Sequence, residues 1–423
     1  MKQYSNSNIN ELLLRHFESG SDAAGYLRGR IPGLTSLLSN FFASRSDIER
    51  IQKAEHLSEL ILSLTDFSDM IPLRSEVATL EITRMIAYKK QTDHTAHTLY
   101  LFLLGVWMYD NITKIRNEID NKIASSKPIK LFLFQWIFAS LLHDVGYLFY
   151  DLASGNNSDS WEIFDQMFSF EYLNQFTKEL SEQGKLELEQ TWKVFIHTYG
   201  FEEYSNKQSA YELIVALDQI PWLTELLPGK VSGLDALEFG ETIGLGLQEF
   251  AYRMAKEGYD GKTPVVDHGI ASGLMLLKYT SIWYWISNYS KLNYPNLHEE
   301  LNLKFHYYDK IFTKHVLSAC KAAAYHNMHN VQFSLENEPL LYLAVLCDEL
   351  QIWDRFMSGS EHISNWKTVD HCVAEKIEAE IINDELNRPM LHIKTVTIHY
   401  EKLLGSLNKR VIDWEKYIKV VEK

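Results

Sequence analysis

The chain has 423 residues, 46% of them apolar and 23% charged, with only 20 Gly and 9 Pro. That length and composition suit a packed globular protein, and disorder is not the default. The formal charge of −15 repels phosphate polymers, and no basic cluster offsets it, so polymeric nucleic acid is not an expected partner.

The N-terminal sequence MKQYSNSNINELLLRHFESG is polar and carries no signal-peptide core. Residues 1–75 then read as helical pieces joined by turns, an N-terminal cap. From Thr79 to Met108 the apolar residues fall at helical spacing and end in a nearly all-apolar run. A polar connector, Asp110 to Lys127, precedes a strongly apolar helix expected over Ile129–Phe149. Its longest run, Leu131–Leu142, has about 12 residues, short of the roughly 20 that cross a bilayer, so no membrane partner is expected.

Residues 151–262 mix Gly, Asn and Ser clusters with acidic runs and amphipathic stretches, as an inserted helical layer would. Helices are expected from about Asp267 through SGLMLLKYTSIWYWI, over Lys314–Met328, and over Pro339–Met357 with Pro near the start. After about residue 361, VAEKIEAEIINDE and MLHIKTVTIHY alternate apolar and polar residues around Asn387 and Pro389. They predict a two-stranded hairpin followed by a last amphipathic helix. The expected class is therefore mainly α, with a core over 76–360 and a C-terminal appendage over 361–423.

Six potential ligands lie inside or at the ends of these apolar helices: His97, His143, Asp144, His268, His326 and Asp348. An ionised Asp in a run such as YLAVLCDEL costs several kcal/mol to desolvate unless it is paired or bound to a cation. Four imidazoles and two carboxylates suit divalent metals such as Mn, Mg, Fe, Co or Zn. Two cations side by side could generate a hydroxide and clamp a phosphoryl oxygen.

These residues lie in the segments DHTAHTLYLFLLG, SLLHDVGY, DHGIASGLMLLKY, AAAYHNMH and LAVLCDELQIWDR, in that order over about residues 93–357. The series resembles the HD superfamily of metal-dependent phosphohydrolases. The resemblance implies an HD-type helical core and two metals per chain. The first would be held by His97, His143, Asp144 and Asp348, the second by His268 and His326, with Asp144 bridging. It further implies hydrolysis of a nucleotide by a metal-bound hydroxide, with NTP or dNTP (triphospho)hydrolysis ahead of cleavage of cyclic or oligonucleotide messengers. The HD-GYP branch is excluded by Tyr147 standing where that branch has Lys and by the missing GYP loop. The sequence HDVGYLFYD also lacks the Gly-His continuation usual in dNTP triphosphohydrolases.

Each assignment has a plainer competitor. His94, one turn before His97, and His329, after His326, are alternative imidazoles. Gln351 and Arg355 share a helical spacing with Asp348, so Arg355 could act in catalysis on the substrate phosphate or could pair with Asp354 or Glu349. Lys278 and His94 are further candidate substrate contacts. The aromatic run Trp283, Tyr284 and Trp285 reads as core packing before base stacking. No GxSxG, GxxxxGK or GxGxxG occurs. Cys320, Cys347 and Cys372 form no CxxC pair and indicate a reducing, cytoplasmic compartment. Self-association stays open, and a nucleotide-sensing module without turnover is the reading from another class.

Overall fold

A computed structural model describes residues 7–65, 68–88, 94–148, 169–175, 177–199, 268–304, 312–327, 332–351, 378–384, 389–395 and 397–422. The chain is mainly helical. It divides into two compact units, one built from Met1–His143 with Met328–Lys423 and the other from Asp144–Asn327.

The first unit begins with a short strand, β1 (Ser7–Asn8), and four helices: α1 (Ile9–Ser19), α2 (Ala23–Arg30), α3 (Leu34–Phe42) and α4 (Asp47–Leu62). Local chemistry sets the boundary of α4. Ser46 Oγ accepts from Glu49 N (3.2 Å), and the Glu49 carboxylate accepts from Arg45 N (2.9 Å), so the start of the helix is closed from both sides. The expected Thr79–Met108 helical pattern resolves into two helices, α5 (Ile71–Tyr88) and α6 (His94–Asn111).

Helix α6 is the spine of this unit, with every residue from Thr95 to Tyr109 buried. After α7 (Thr113–Ile123), helix α8 (Pro128–Leu141) packs against α6 at very close range. A Cβ on Gly105 would stand 2.0 Å from Trp136 Cζ2, and Trp136 Nε1 donates to the Phe102 carbonyl oxygen (3.0 Å). Only glycine lets that indole lie on the α6 backbone. Pro128 occupies the first turn of α8, where its missing N–H costs no hydrogen bond.

The apolar helix expected over Ile129–Phe149 is shorter than that. It ends at Leu141, and a 3₁₀ turn follows at Val145–Tyr147. The stretch Pro128–Tyr147 is nonetheless long and apolar enough, by length and composition, to cross a membrane, more than the run of about 12 residues suggested. It is 83% buried within the protein, as a core helix is.

The C-terminal half of the first unit contains α14 (Pro339–Leu350), strands β2 (Glu378–Asn383) and β3 (Pro389–Thr395), α15 (Thr397–Arg410) and β4 (Ile418–Glu422). The expected hairpin is present: β2 and β3 pair antiparallel, with Ile381 opposite Leu391. The sheet is larger than a hairpin. β1 pairs with β2, and β4 adds parallel to β3 with Leu391 opposite Ile418, giving the order β1-β2-β3-β4. Helix α15 is the crossover that the parallel β3–β4 pair requires.

In the second unit, α9 (Phe170–Gln175) and α10 (Glu182–Tyr199) are the described parts of the expected insert, most of which lies outside the described residues. Helix α11 (His268–Asn293) runs for 26 residues and packs on α10, α12 (Pro295–Lys304) and α13 (Leu317–Tyr325). A π-helical turn, Phe312–Val316, leads into α13. Trp283, Tyr284 and Trp285 are buried. Tyr284 stacks on Phe312 and Trp285 meets Phe195 edge-on, so the aromatic run is core.

Candidate metal centre

The six residues singled out in the sequence fall into two groups, one in each unit. In the first unit His97 projects from the first turn of α6, His143 stands two residues beyond α8, and Asp348 lies near the end of α14. His97 Nε2 is 2.8 Å from Asp348 Oδ1, and the ligand atoms of His97, His143 and Asp348 all lie within 4.8 Å of one another. His97 and His143 are buried, and the Asp348 side chain is 11% exposed.

In the second unit Asp144 Oδ1 is 3.4 Å from His268 Nε2 and 3.6 Å from His326 Nε2, and the two Nε2 atoms are 3.2 Å apart. These distances test whether one cation fits. Metal–ligand bonds of about 2.1 Å place neighbouring donors roughly 3.0 Å apart in an octahedron and roughly 3.4 Å apart in a tetrahedron. All three separations are close to those edges. The three atoms are spaced as ligands of one ion.

The imidazoles are also oriented for that role. His143 Nδ1 donates to the Ser140 carbonyl oxygen (2.6 Å) and His326 Nδ1 to the Ala323 carbonyl oxygen (2.7 Å). Each bond is local, from a His just past a helix end to a carbonyl three residues back in the last turn of that helix. Each holds the ring as the Nδ1–H tautomer and leaves the lone pair on Nε2. The sequence reading put His143 and Asp144 on a helix. They stand instead just past its end, ahead of the 3₁₀ turn.

The first group rests on a buried polar network. Both Glu81 carboxylate oxygens accept from the start of α6, one from His94 N and the other from Thr95 N (3.0 Å). A carboxylate there satisfies unpaired N–H groups and complements the helix dipole. Arg74, 3% exposed, donates to the Thr95 carbonyl oxygen (2.9 Å), Thr98 Oγ1 (2.6 Å) and the Leu141 carbonyl oxygen (2.9 Å), and pairs with Glu55 through Nε (3.2 Å). One guanidinium thus ties the α6 turn that carries His97 to the α8 end that precedes His143. Burial pushes the Glu55 carboxyl above its ordinary pKa, and the Arg74 charge opposes that shift.

The second group rests on a close backbone approach. A Cβ on Gly146 would lie 2.0 Å from the His268 carbonyl oxygen, and Gly146 N donates to Ser272 Oγ (2.7 Å). The ring of Tyr147 stacks on His268 at 4.1 Å and 15°, fixing the imidazole plane. The Gly and Tyr of HDVGY therefore serve Asp144 and His268.

Among the weaker candidates, His94 opens α6, where its backbone N–H meets Glu81. Gln351 is buried at the C-cap of α14 with ψ 73°, off the helical spacing on which its alignment with Asp348 was based. Arg355, His329 and the side chain of Lys278 lie outside the described residues. Burial raises the thiol pKa of both Cys320 and Cys347, which removes them as nucleophiles.

One charged residue in this region was missed. Arg410, the last residue of α15, is buried with Nη1 on Glu349 and 3.9 Å from Asp348 Oδ2. Its signal was readable: it follows the buried Leu403 and Leu407 on one helical stripe, a cation at a position where the core calls for an apolar side chain.

Comparison with protein-family models, with curated proteins and with solved structures returns no match.

Proposed function

We propose that this chain is a metal-dependent phosphohydrolase of the HD type that acts on a nucleotide, with NTP or dNTP (triphospho)hydrolysis as its reaction. The observation that carries the reading is the spacing of Asp144, His268 and His326, three buried or nearly buried donors at 3.2–3.6 Å. The matching cluster of His97, His143 and Asp348 supports it. A structural ion pair needs one carboxylate and one cation. It has no use for two imidazoles turned toward the same carboxylate oxygen, one with its opposite nitrogen tied to a carbonyl and the other held by a stacked tyrosine ring.

Divalent cations held by these residues would supply Lewis acidity at a phosphoryl oxygen and lower the pKa of water. The chain's own part is positioning. Two carbonyl bonds fix the tautomers of His143 and His326, Tyr147 fixes the plane of His268, and Arg74 with Glu81 fixes the start of α6. The nucleotide class follows from the resemblance of the five sequence segments to HD proteins.

The test is a turnover screen of NTPs, dNTPs and cyclic nucleotides with Mn, Mg or Co, following release of phosphate, triphosphate and nucleoside. Release of triphosphate or phosphate from one favoured nucleotide supports the proposal. Cleavage restricted to cyclic nucleotides would make the protein a phosphodiesterase, and binding without turnover would make it a sensor.

A further inference from the structure

The guanidinium of Arg410 is half used. Nη1 bonds Glu349 and lies 3.9 Å from Asp348 Oδ2, whereas the buried Nε and Nη2 have no hydrogen-bond partner among the described residues. Those two nitrogens share one edge of the planar group, the edge whose parallel N–H bonds match two oxygens of a carboxylate or phosphate. An unmet buried donor is costly, and more so when it is charged, so native folds rarely leave a whole guanidinium edge unmet.

The backbone holds this side chain in place. The Arg410 carbonyl oxygen accepts from Phe333 N (3.0 Å), and Ile412 N donates to the Phe333 carbonyl oxygen (2.9 Å). Leu403 and Leu407 bury the preceding turns of α15, which packs on the helix that carries Asp348. The residue is fixed in the core at 3% exposure with a fork-shaped pair of donors to spare, beside a carboxylate of the first candidate metal group.

We infer that Arg410 is an anion-binding residue of the site, taking two oxygens of a phosphoryl group on its Nε–Nη2 edge while Nη1 stays on Glu349. The inference rests on the phosphohydrolase reading and extends it, since it makes the C-terminal helix α15 a contributor to substrate binding. The ligand class is a small phosphate-bearing molecule. Carboxylates of similar size lack the third oxygen and second charge that a cation beside the fork would also engage.

The test uses the full chain and two probes, inorganic phosphate and non-hydrolysable methylenediphosphonate, with binding measured by calorimetry on protein loaded with Mn. Metal content and the thermal melt are recorded for every variant. Arg410→Gln is the direct change. Because it strands the buried Glu349 carboxylate, Arg410→Gln/Glu349→Gln is made beside it to remove both charges.

The expected result is metal content equal to wild type with a roughly 10- to 100-fold weaker Kd for both probes. Arg410→Lys should be intermediate, because an ammonium cannot present the fork. Unchanged probe affinity in the double variant would overturn the role of Arg410 and leave the phosphohydrolase reading intact. Loss of metal along with the probes would overturn it in favour of Arg410 as a positioning residue for Asp348. Wild-type protein that binds metal but neither probe would overturn both readings.

Discussion

His97 Nε2 and Asp348 Oδ1, from helices in the two separate segments that build the first unit, meet at 2.8 Å in a largely buried setting. An unprotonated imidazole and a carboxylate repel at that distance unless a proton or a cation lies between them. Asp348→Asn keeps the size of the side chain and removes its charge. It should leave the fold intact by circular dichroism and reduce metal bound at equilibrium by at least tenfold in affinity. Unchanged metal affinity would make the contact a structural hydrogen bond.

Asp144→Ala removes the only carboxylate among the described donors of the second group and leaves two imidazoles. Metal from that group and hydrolytic activity should be lost together, read by elemental analysis and phosphate release. A variant with full metal content and full turnover would show the assignment to be wrong.

Arg74 and Glu55 form a buried pair whose worth can be measured separately from the metal. Arg74→Met should destabilise the protein by roughly 3–5 kcal/mol, because it leaves the Glu55 carboxylate without its cation and takes one donor from each of three carbonyl or hydroxyl oxygens. Arg74→Met/Glu55→Met should recover much of that loss. A denaturant-unfolding double-mutant cycle with no coupling between the two sites would contradict the network.

Which features are legible in the sequence depends on the range of each interaction. The six candidate donors were legible, because a charged or imidazole side chain in an apolar run needs compensation whatever the fold. Which of them meet was not legible, since it depends on where α8 stops and on which helices pack together. The extra strand β4 was hidden for the same reason: its pairing with β3 is set across α15, and a five-residue run carries little signal alone. Arg410 lay outside the segments that resemble HD proteins, so only its place on the Leu403–Leu407 stripe could have marked it.

Gly146→Ala tests the close approach in HDVGY. The added Cβ meets the His268 carbonyl oxygen, a backbone atom that cannot rotate away, so the 3₁₀ turn or α11 must shift. The expected cost is roughly 1–3 kcal/mol, with weaker metal binding by the Asp144 group. Wild-type melting temperature and metal affinity together would show that the turn yields freely.

His315 gives a pH signature away from the metal groups. Burial, helped by Lys314, pushes its pKa down from 6.5 to about 4. The folded state therefore favours the neutral ring. The stabilisation is full above about pH 6.5 and is lost as the pH falls toward 4, amounting to roughly 3 kcal/mol at the acid end. Urea unfolding between pH 7 and 4 should show this slope in wild type and a shallower one in His315→Leu. Parallel profiles would assign the acid sensitivity to other groups.

The central claim is that two sets of donors, His97/His143/Asp348 and Asp144/His268/His326, hold divalent cations. The most direct measurement is elemental analysis of the purified full chain after equilibration with Mn, alongside Asp144→Ala and Asp348→Asn. About two ions per wild-type chain and fewer in each variant are expected. Wild-type protein that takes up no metal, or variants that keep the full complement, would contradict it.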